Sequence, residues 1–331
     1  MNFQGLSKVE TAEFYVSQAL KASRDSASKT RNDLKKSRLD NIGKSTRVEH
    51  ARIYSVKNNL HSSLFNIVKS FPNIESLPDF YQELIKITLD YGMLKQSLGA
   101  VNWCSSRMGT LFNEYSLKIK KSKSSQHASK FVREFFGRAF SVVRQIRKNL
   151  EYLENARKTM KAYPSIKTGI PSIAIAGFPN VGKSTLLRKL TPAKPAVGDY
   201  SFTTQSIMLG YAEFEGRKIQ FLDIPGTLNR FDRMNSIEQQ AYLAMKYVAD
   251  FMIYIFDLTE RYSLEEQIKL YRKLKEFKKP IIAYLSKCDI IEDKKIKEFN
   301  EAHPNFDIIT DSEILRKEIF RRVIKKEKTE D

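Results

Sequence analysis

The chain has 331 residues, 57 Lys and Arg against 38 Asp and Glu, a net charge of +19 and 41% hydrophobic residues, enough for one or two packed domains with a basic surface. No apolar run reaches the roughly 18 residues of a membrane span, and the N-terminal stretch lacks a basic segment followed by an apolar one, so neither a spanning helix nor a secretory signal is expected. Two distant cysteines, Cys104 and Cys288, and four histidines without ligand spacing argue against a disulfide framework or zinc site and fit a reducing cytoplasm.

The charge is uneven. Residues 1–168 carry 30 Lys and Arg against 14 Asp and Glu, and the remainder 27 against 24. A field of that kind attracts polyanions in a salt-dependent way, so RNA or ribosomal contact is expected of the N-terminal half. A merely solvated basic surface and an acidic membrane surface are the alternatives.

Three helical patterns follow in the first 168 residues. The first runs over about 47–71 through Ile53, Val56, Leu60, Leu64 and Ile67. The second is a long helix whose seam runs from Phe80 through Leu84, Ile87, Tyr91, Leu94, Leu98, Val101, Met108 and Phe112 to Tyr115, with Pro78 and Asp79 suiting its first turn. Gly92, Gly99 and Gly109 inside it either allow close helix approach or mark bends. The third covers about 129–163, through Phe131, Phe135, Ala139, Val142, Ile146, Leu150, Leu153 and Met160. Three such helices predict an antiparallel bundle. The basic segments 29–38 and 117–125 fall between helices and are the candidates for phosphate contacts.

Residues 164–171, bounded by two prolines, mark a joint between a basic helical domain at 1–168 and a second domain at 169–331. There the pattern alternates. Strands are predicted at 172–176, 207–214, 218–223, 251–257, 281–286 and 306–309. Helices are predicted at 183–190, 236–248, 263–277, 293–301 and 312–325. Ser236 with Gln239 and Ser263 with Glu266 have capping-box spacing. The fold class is therefore α + α/β: a helical bundle, then a doubly wound, mainly parallel sheet whose ligands bind beyond the strand C-terminal ends.

Gly177, Phe178, Pro179, Asn180, Val181, Gly182, Lys183 and Ser184 form a G-x-x-x-x-G-K-S loop between the first strand and helix. Such a loop wraps phosphates in backbone N–H groups at the positive end of a helix. Lys183 is expected to reach the β- and γ-phosphates, Ser184 to coordinate Mg²⁺, and Thr185 to sit near the α-phosphate. Asp223, Ile224, Pro225 and Gly226 close the third strand. Asp223 there can hold Mg²⁺, and the Gly226 N–H can bond the γ-phosphate as a switch. Phe202, Thr203, Thr204 and Gln205 lie between the first helix and the next strand. Thr204, or failing that Thr203, is expected to complete the metal shell. Ser286, Lys287, Cys288 and Asp289 match the guanine signature N-K-x-D with Ser in place of Asn. The Asp289 carboxylate can accept from guanine N1–H and the 2-amino group, and Lys287 can lie along the base. Ser286 lacks the amide that would brace the loop. Thr310 alone resembles the loop whose backbone contacts guanine O6.

The phosphate loop, Phe202–Thr204 and Asp223–Gly226 resemble those of the Obg-like translation-factor GTPases. Ser70–Ile74, the long helices after it, Tyr163–Ile166, Asp223–Arg230 and Asn235–Gln239 are similar to the nucleolar G-protein (Nog) family, from about residue 45 onward. The resemblance implies a helical bundle with a Ras-like P-loop GTPase domain, GTP/GDP and Mg²⁺ as ligands, and a role in assembling the large ribosomal subunit through its rRNA. It also implies an archaeal-type, cytoplasmic form, since the long C-terminal extension of eukaryotic members is missing after the last helix. Ser286, and Thr310 with Asp311, depart from the pattern.

Where Ras-like enzymes place a water-orienting Gln, this chain has Thr227 followed by Leu228, so slow intrinsic turnover is expected, raised by a ribosomal partner. Related potassium-stimulated GTPases carry Asn at the position of Asn180, which implies K⁺ near the β/γ bridge; a loop-shaping Asn is the alternative. Lys183, Thr204, Gly226 and Asn180 form the expected catalytic set. Another RNA- or stress-linked process, and a non-hydrolysing rRNA scaffold, are the competing functions.

Overall fold

The computed structural model describes residues 3–191, 207–225, 236–259 and 261–330. The chain divides into two compact units, one of Asn2–Ser76 and Thr88–Tyr163, the other of Leu77–Ile87 and Pro164–Asp331.

The first unit holds α1 (Ala12–Asp33), α2 (Asn41–Ser70), α4 (Tyr91–Lys120), α5 (Ser125–Gln145) and α6 (Arg147–Lys161). Thr11, Asp40, Asp90 and Ser124 cap α1, α2, α4 and α5 by accepting the backbone N–H three residues on. Helix α2 packs on α1, α4 and α5, and α4 packs on α5 and α6. The core runs through Ile53, Val56, Leu60, Leu64, Val101, Met108, Tyr115 and Phe135, all wholly buried. Each such side chain contributes about 1.5–3 kcal/mol on leaving water.

Three helix expectations need correction. The seam predicted over 80–115 is two helices, because Asp90 caps a new one: α3 (Asp79–Thr88) ends before it and α4 begins after it. The 129–163 pattern also divides, at Ile146, into α5 and α6. Helix α1 was not predicted, and Lys29–Asp33, read as lying between helices, forms its last turn. A Cβ at Gly99 or Gly109 would meet nothing within 4 Å, so close helix approach does not explain them. Among the described residues no helix is long and apolar enough to cross a membrane.

Helix α3 groups with the C-terminal residues through Tyr81, which is wholly buried. Its hydroxyl donates to the Pro164 carbonyl at 2.8 Å and accepts the Ile166 N–H at 2.9 Å. Burial pushes the phenol up to about 12, so it stays a neutral donor. Residues 164–168, assigned from the sequence to the helical half, pack here too.

The second unit is a six-stranded sheet in the order β2-β3-β1-β4-β5-β6. The strands are β1 (Ser172–Ala176), β2 (Met208–Phe214), β3 (Arg217–Asp223), β4 (Phe251–Phe256), β5 (Ile281–Leu285) and β6 (Ile308–Ile309). Only β2 runs antiparallel, joined to β3 by a tight turn with left-handed Glu215 and Gly216. Helices α7 (Lys183–Leu190), α8 (Ser236–Tyr247), α9 (Leu264–Lys275), α10 (Asp293–Ala302) and α11 (Ser312–Glu330) connect or follow the strands. All of β1 and β4 is buried, as expected of parallel strands covered on both faces. Strand β1 lies between β3 and β4, and the order reverses there, opening a crevice beyond its C-terminal end.

Candidate functional site

The loop that leaves β1 is anchored by buried side chains. Val181 and Phe178 are buried, the latter against the Tyr262 ring at 4.5 Å between centroids. Gly177 has φ 148°, and a Cβ there would lie 2.9 Å from the Ile255 carbonyl oxygen. Gly182 caps α7 at φ 99°. Only glycine tolerates both demands at once. Asn180 is exposed with left-handed backbone at φ 61°, which Asn adopts more readily than most residues. Pro179 is half-buried and Thr185 is exposed on the first turn of α7.

Lys183 is 8% exposed, and its ammonium donates to the Gly177 and Phe178 carbonyls at 3.1 and 2.8 Å. Ser184 Oγ donates to Asp223 Oδ2 at 2.7 Å across the crevice between α7 and the end of β3. Burial lowers the Lys183 ammonium below the usual lysine value, and Asp223 opposes that. Burial raises the Asp223 carboxyl, with Ser184 and then Lys183 opposing. One buried cation and one buried carboxylate thus flank a serine hydroxyl, each still short of compensation. The Ile224 N–H donates to the Ile175 carbonyl at 3.0 Å, carrying the β1–β3 pairing one residue past Asp223.

The segment after β5 also closes on the loop. Ser286 Oγ donates to the Val181 carbonyl at 2.7 Å, so the hydroxyl supplies a brace that its lack of an amide argued against. Lys287 has φ 57°, and its ammonium lies 2.5 Å from Asp257 Oδ2. Burial pushes the Asp257 carboxyl up, and hydrogen bonds from Lys287 and Thr259 outweigh it, holding it below its usual value. Gln267 in α9 accepts the Asp257 N–H at 2.9 Å and donates to its carbonyl at 2.8 Å. Cys288 is half-buried, and burial raises its thiol. Asp289 and Thr310 are exposed at the same end of the sheet, while Asp311 caps α11 through the Glu313 and Ile314 N–H groups. Ser286→Ala should therefore leave the buried Val181 carbonyl unpaired and lower the unfolding free energy by about 1–3 kcal/mol in a urea titration. Unchanged stability would mean that the brace is idle.

Asp257, Thr259 and Gln267 were not anticipated. Their signal was available: Asp257 follows an apolar strand just as Asp223 follows another. Phe202, Thr203, Thr204, Gln205, Gly226, Thr227 and Leu228 lie outside the described residues. Among the described residues no three His, Cys, Asp or Glu cluster in a metal-binding group.

A phosphate loop at the switch point of a parallel sheet, with its lysine and a serine–aspartate pair, defines a P-loop GTPase. Residues 172–287 match the family model described as 50S ribosome-binding GTPase, and residues 3–167 match the NOG1 N-terminal helical domain. The chain belongs to the nucleolar GTP-binding protein 1 (NOG1) family. It is 37% identical over 274 residues to the Methanocaldococcus jannaschii protein MJ1408, covering 81% of this chain and 77% of that one. It is 30% identical over 256 residues to nucleolar GTP-binding protein 1 of Drosophila melanogaster, covering 76% of this chain and 39% of that protein. With the Saccharomyces cerevisiae protein of the same name it shares 31% identity over 238 residues, 70% of this chain and 37% of that one. The chain thus spans well under half the length of these two eukaryotic relatives.

Proposed function

We propose that this chain is a GTP-hydrolysing switch that acts on the large ribosomal subunit or its precursor, with the basic helical unit contacting rRNA. The observation that carries it is the Ser184–Asp223 hydrogen bond of 2.7 Å beside the buried Lys183 ammonium. Similarity to the 50S ribosome-binding GTPase family and to nucleolar GTP-binding proteins supports the ribosomal side.

A hydroxyl and a carboxylate this close are hard oxygen donors that fit Mg²⁺, with nucleotide phosphates and water completing the shell. We assign Ser184 and Asp223 to that ion, with Thr204 as the further side chain. When bound, the ion neutralises charge that develops on the transferring phosphate. Lys183 exchanges its loop carbonyls for phosphate oxygens. Asp289 selects guanine, and the Gly226 N–H senses the γ-phosphate. Thr227 in the water-orienting position makes intrinsic turnover slow, and a ribosomal partner raises it. Asn180, exposed on the loop, is assigned to a potassium ion.

Co-sedimentation with large ribosomal subunits tests the switch. More protein should travel with the subunit in GTP than in GDP, and equal amounts in both states would overturn it. Single-turnover hydrolysis, run in KCl and in NaCl, separates the alternatives: no hydrolysis favours a scaffold, and equal rates reject the potassium role.

A further inference from the structure

Helix α2 carries a second face that the bundle core does not use. His50, Tyr54, His61 and Phe65 stand along it at helical spacing, on the flank beside the core-facing residues Ile53, Val56, Leu60 and Leu64. Tyr54 is 50% exposed and Phe65 46%, and both histidines are half-buried. Arg47, Lys57 and Lys69 continue the same series, so a cation recurs after every two rings, in steps of three and four, over about 33 Å of helix. The one carboxylate in α2, Glu49, is buried and paired with Arg52 at 2.9 Å.

The rings are set in place before any partner arrives. His61 and Phe65 are stacked, with centroids 5.9 Å apart and planes 12° from parallel. Phe112 of α4 meets Tyr54 at 5.7 Å and His50 at 5.5 Å. Ser105 holds the His61 ring and Ser116 the His50 ring by hydrogen bonds of 2.9 and 2.8 Å. Burial, and then nearby Lys120, lower the His50 imidazole below its usual value, so at neutral pH it is a flat uncharged ring. Exposed rings fixed by neighbours lose little freedom on stacking with a base, and every base has a face to offer.

We propose that this face of α2, with Phe112, is a stacking platform for unpaired bases of RNA, the interleaved cations tracking the phosphates. The proposal rests on RNA contact by the helical unit and adds to it which RNA: splayed single-stranded nucleotides, because bases inside a duplex cannot reach the rings. The absence of any exposed carboxylate on α2 favours a polyanion over a protein partner.

The test uses the full chain, a short oligouridine and an RNA duplex of equal length, followed by fluorescence anisotropy across a salt series. Tyr54→Ala combined with Phe65→Ala should weaken oligouridine binding about tenfold or more, leave the salt slope unchanged and spare the duplex. Tyr54→Trp with Phe65→Trp should restore binding. Lys57→Gln with Lys69→Gln should instead flatten the salt slope, by about 0.7 for each charge removed. Both ring positions are half-exposed, and circular dichroism confirms that the alanine variant is folded. Wild-type oligouridine affinity in that variant overturns the platform, as does equal loss on the duplex. A ring variant that keeps RNA binding yet leaves the ribosomal subunit would assign the face to a protein and also overturn it. If the unaltered chain binds neither RNA, RNA contact itself fails, and the platform with it.

Discussion

Lys183→Ala should reduce affinity for GTP and GDP by roughly 10²–10⁴-fold in calorimetric titration. The side chain is 8% exposed and already donates to two carbonyls of the loop proposed to wrap the phosphates, so its ammonium is held within that loop. Charge-assisted hydrogen bonds contribute about 1.5–3 kcal/mol each, and two to phosphate oxygens account for the loss. Burial already holds the ammonium below its usual value, so the free protein loses less from this truncation than the complex does. RNA binding by the helical unit should be unchanged in the same variant. Unaltered nucleotide affinity would sink the assignment of Lys183, and loss of both activities together would argue against separable roles.

Asp223→Asn should act in opposite directions on the free and the nucleotide-bound protein. Asp223 is 6% exposed, and burial holds its carboxyl above the usual value. A carboxyl raised on folding contributes stability that is present below its unfolded value and is lost as pH rises through its folded value. At neutral pH the wild-type free protein therefore carries a destabilising buried charge, which Asn removes. Attraction to Lys183 is the smallest of the three influences on Asp223, so losing it does not reverse the sign. The free variant should melt higher than wild type at neutral pH, and the difference should vanish as pH falls. The Mg²⁺-dependent part of nucleotide affinity should drop about tenfold to a hundredfold, since Asn brings no charge to the ion. A free variant that melts below wild type at neutral pH would refute this account.

The sheet was readable because its strands are buried on both faces: Ser172–Ala176 and Phe251–Phe256 appear in the chain as unbroken apolar runs. The phosphate loop was readable because its glycines and lysine are fixed by steric and charge demands within eight consecutive positions. Helix α1 escaped notice because only Tyr15 and Val16 on its buried face are strongly apolar, the rest being Ala12, Ala19, Ser23 and Ala27, which give little hydrophobic signal. The break at Asp90 was hidden because the apolar spacing continues across it while the carboxylate caps a new helix. Ser286 stood out as a departure, but its partner, the Val181 carbonyl, lies 105 residues away, and only the fold brings them together. The Lys287–Asp257 contact is illegible in the chain for the same reason.

The bond network of Tyr81 means that the GTPase module is discontinuous in the chain. The polypeptide passes from helical unit to GTPase unit at residue 77, returns at 88 and passes over again at 164. No single cut can therefore separate the two: a fragment starting at 169 leaves behind both the phenol and residues 164–166 that it binds, all part of its own module. Two covalent crossings besides the final one also join the modules, so isolating either needs its chain rewired at residues 77, 88 and 164.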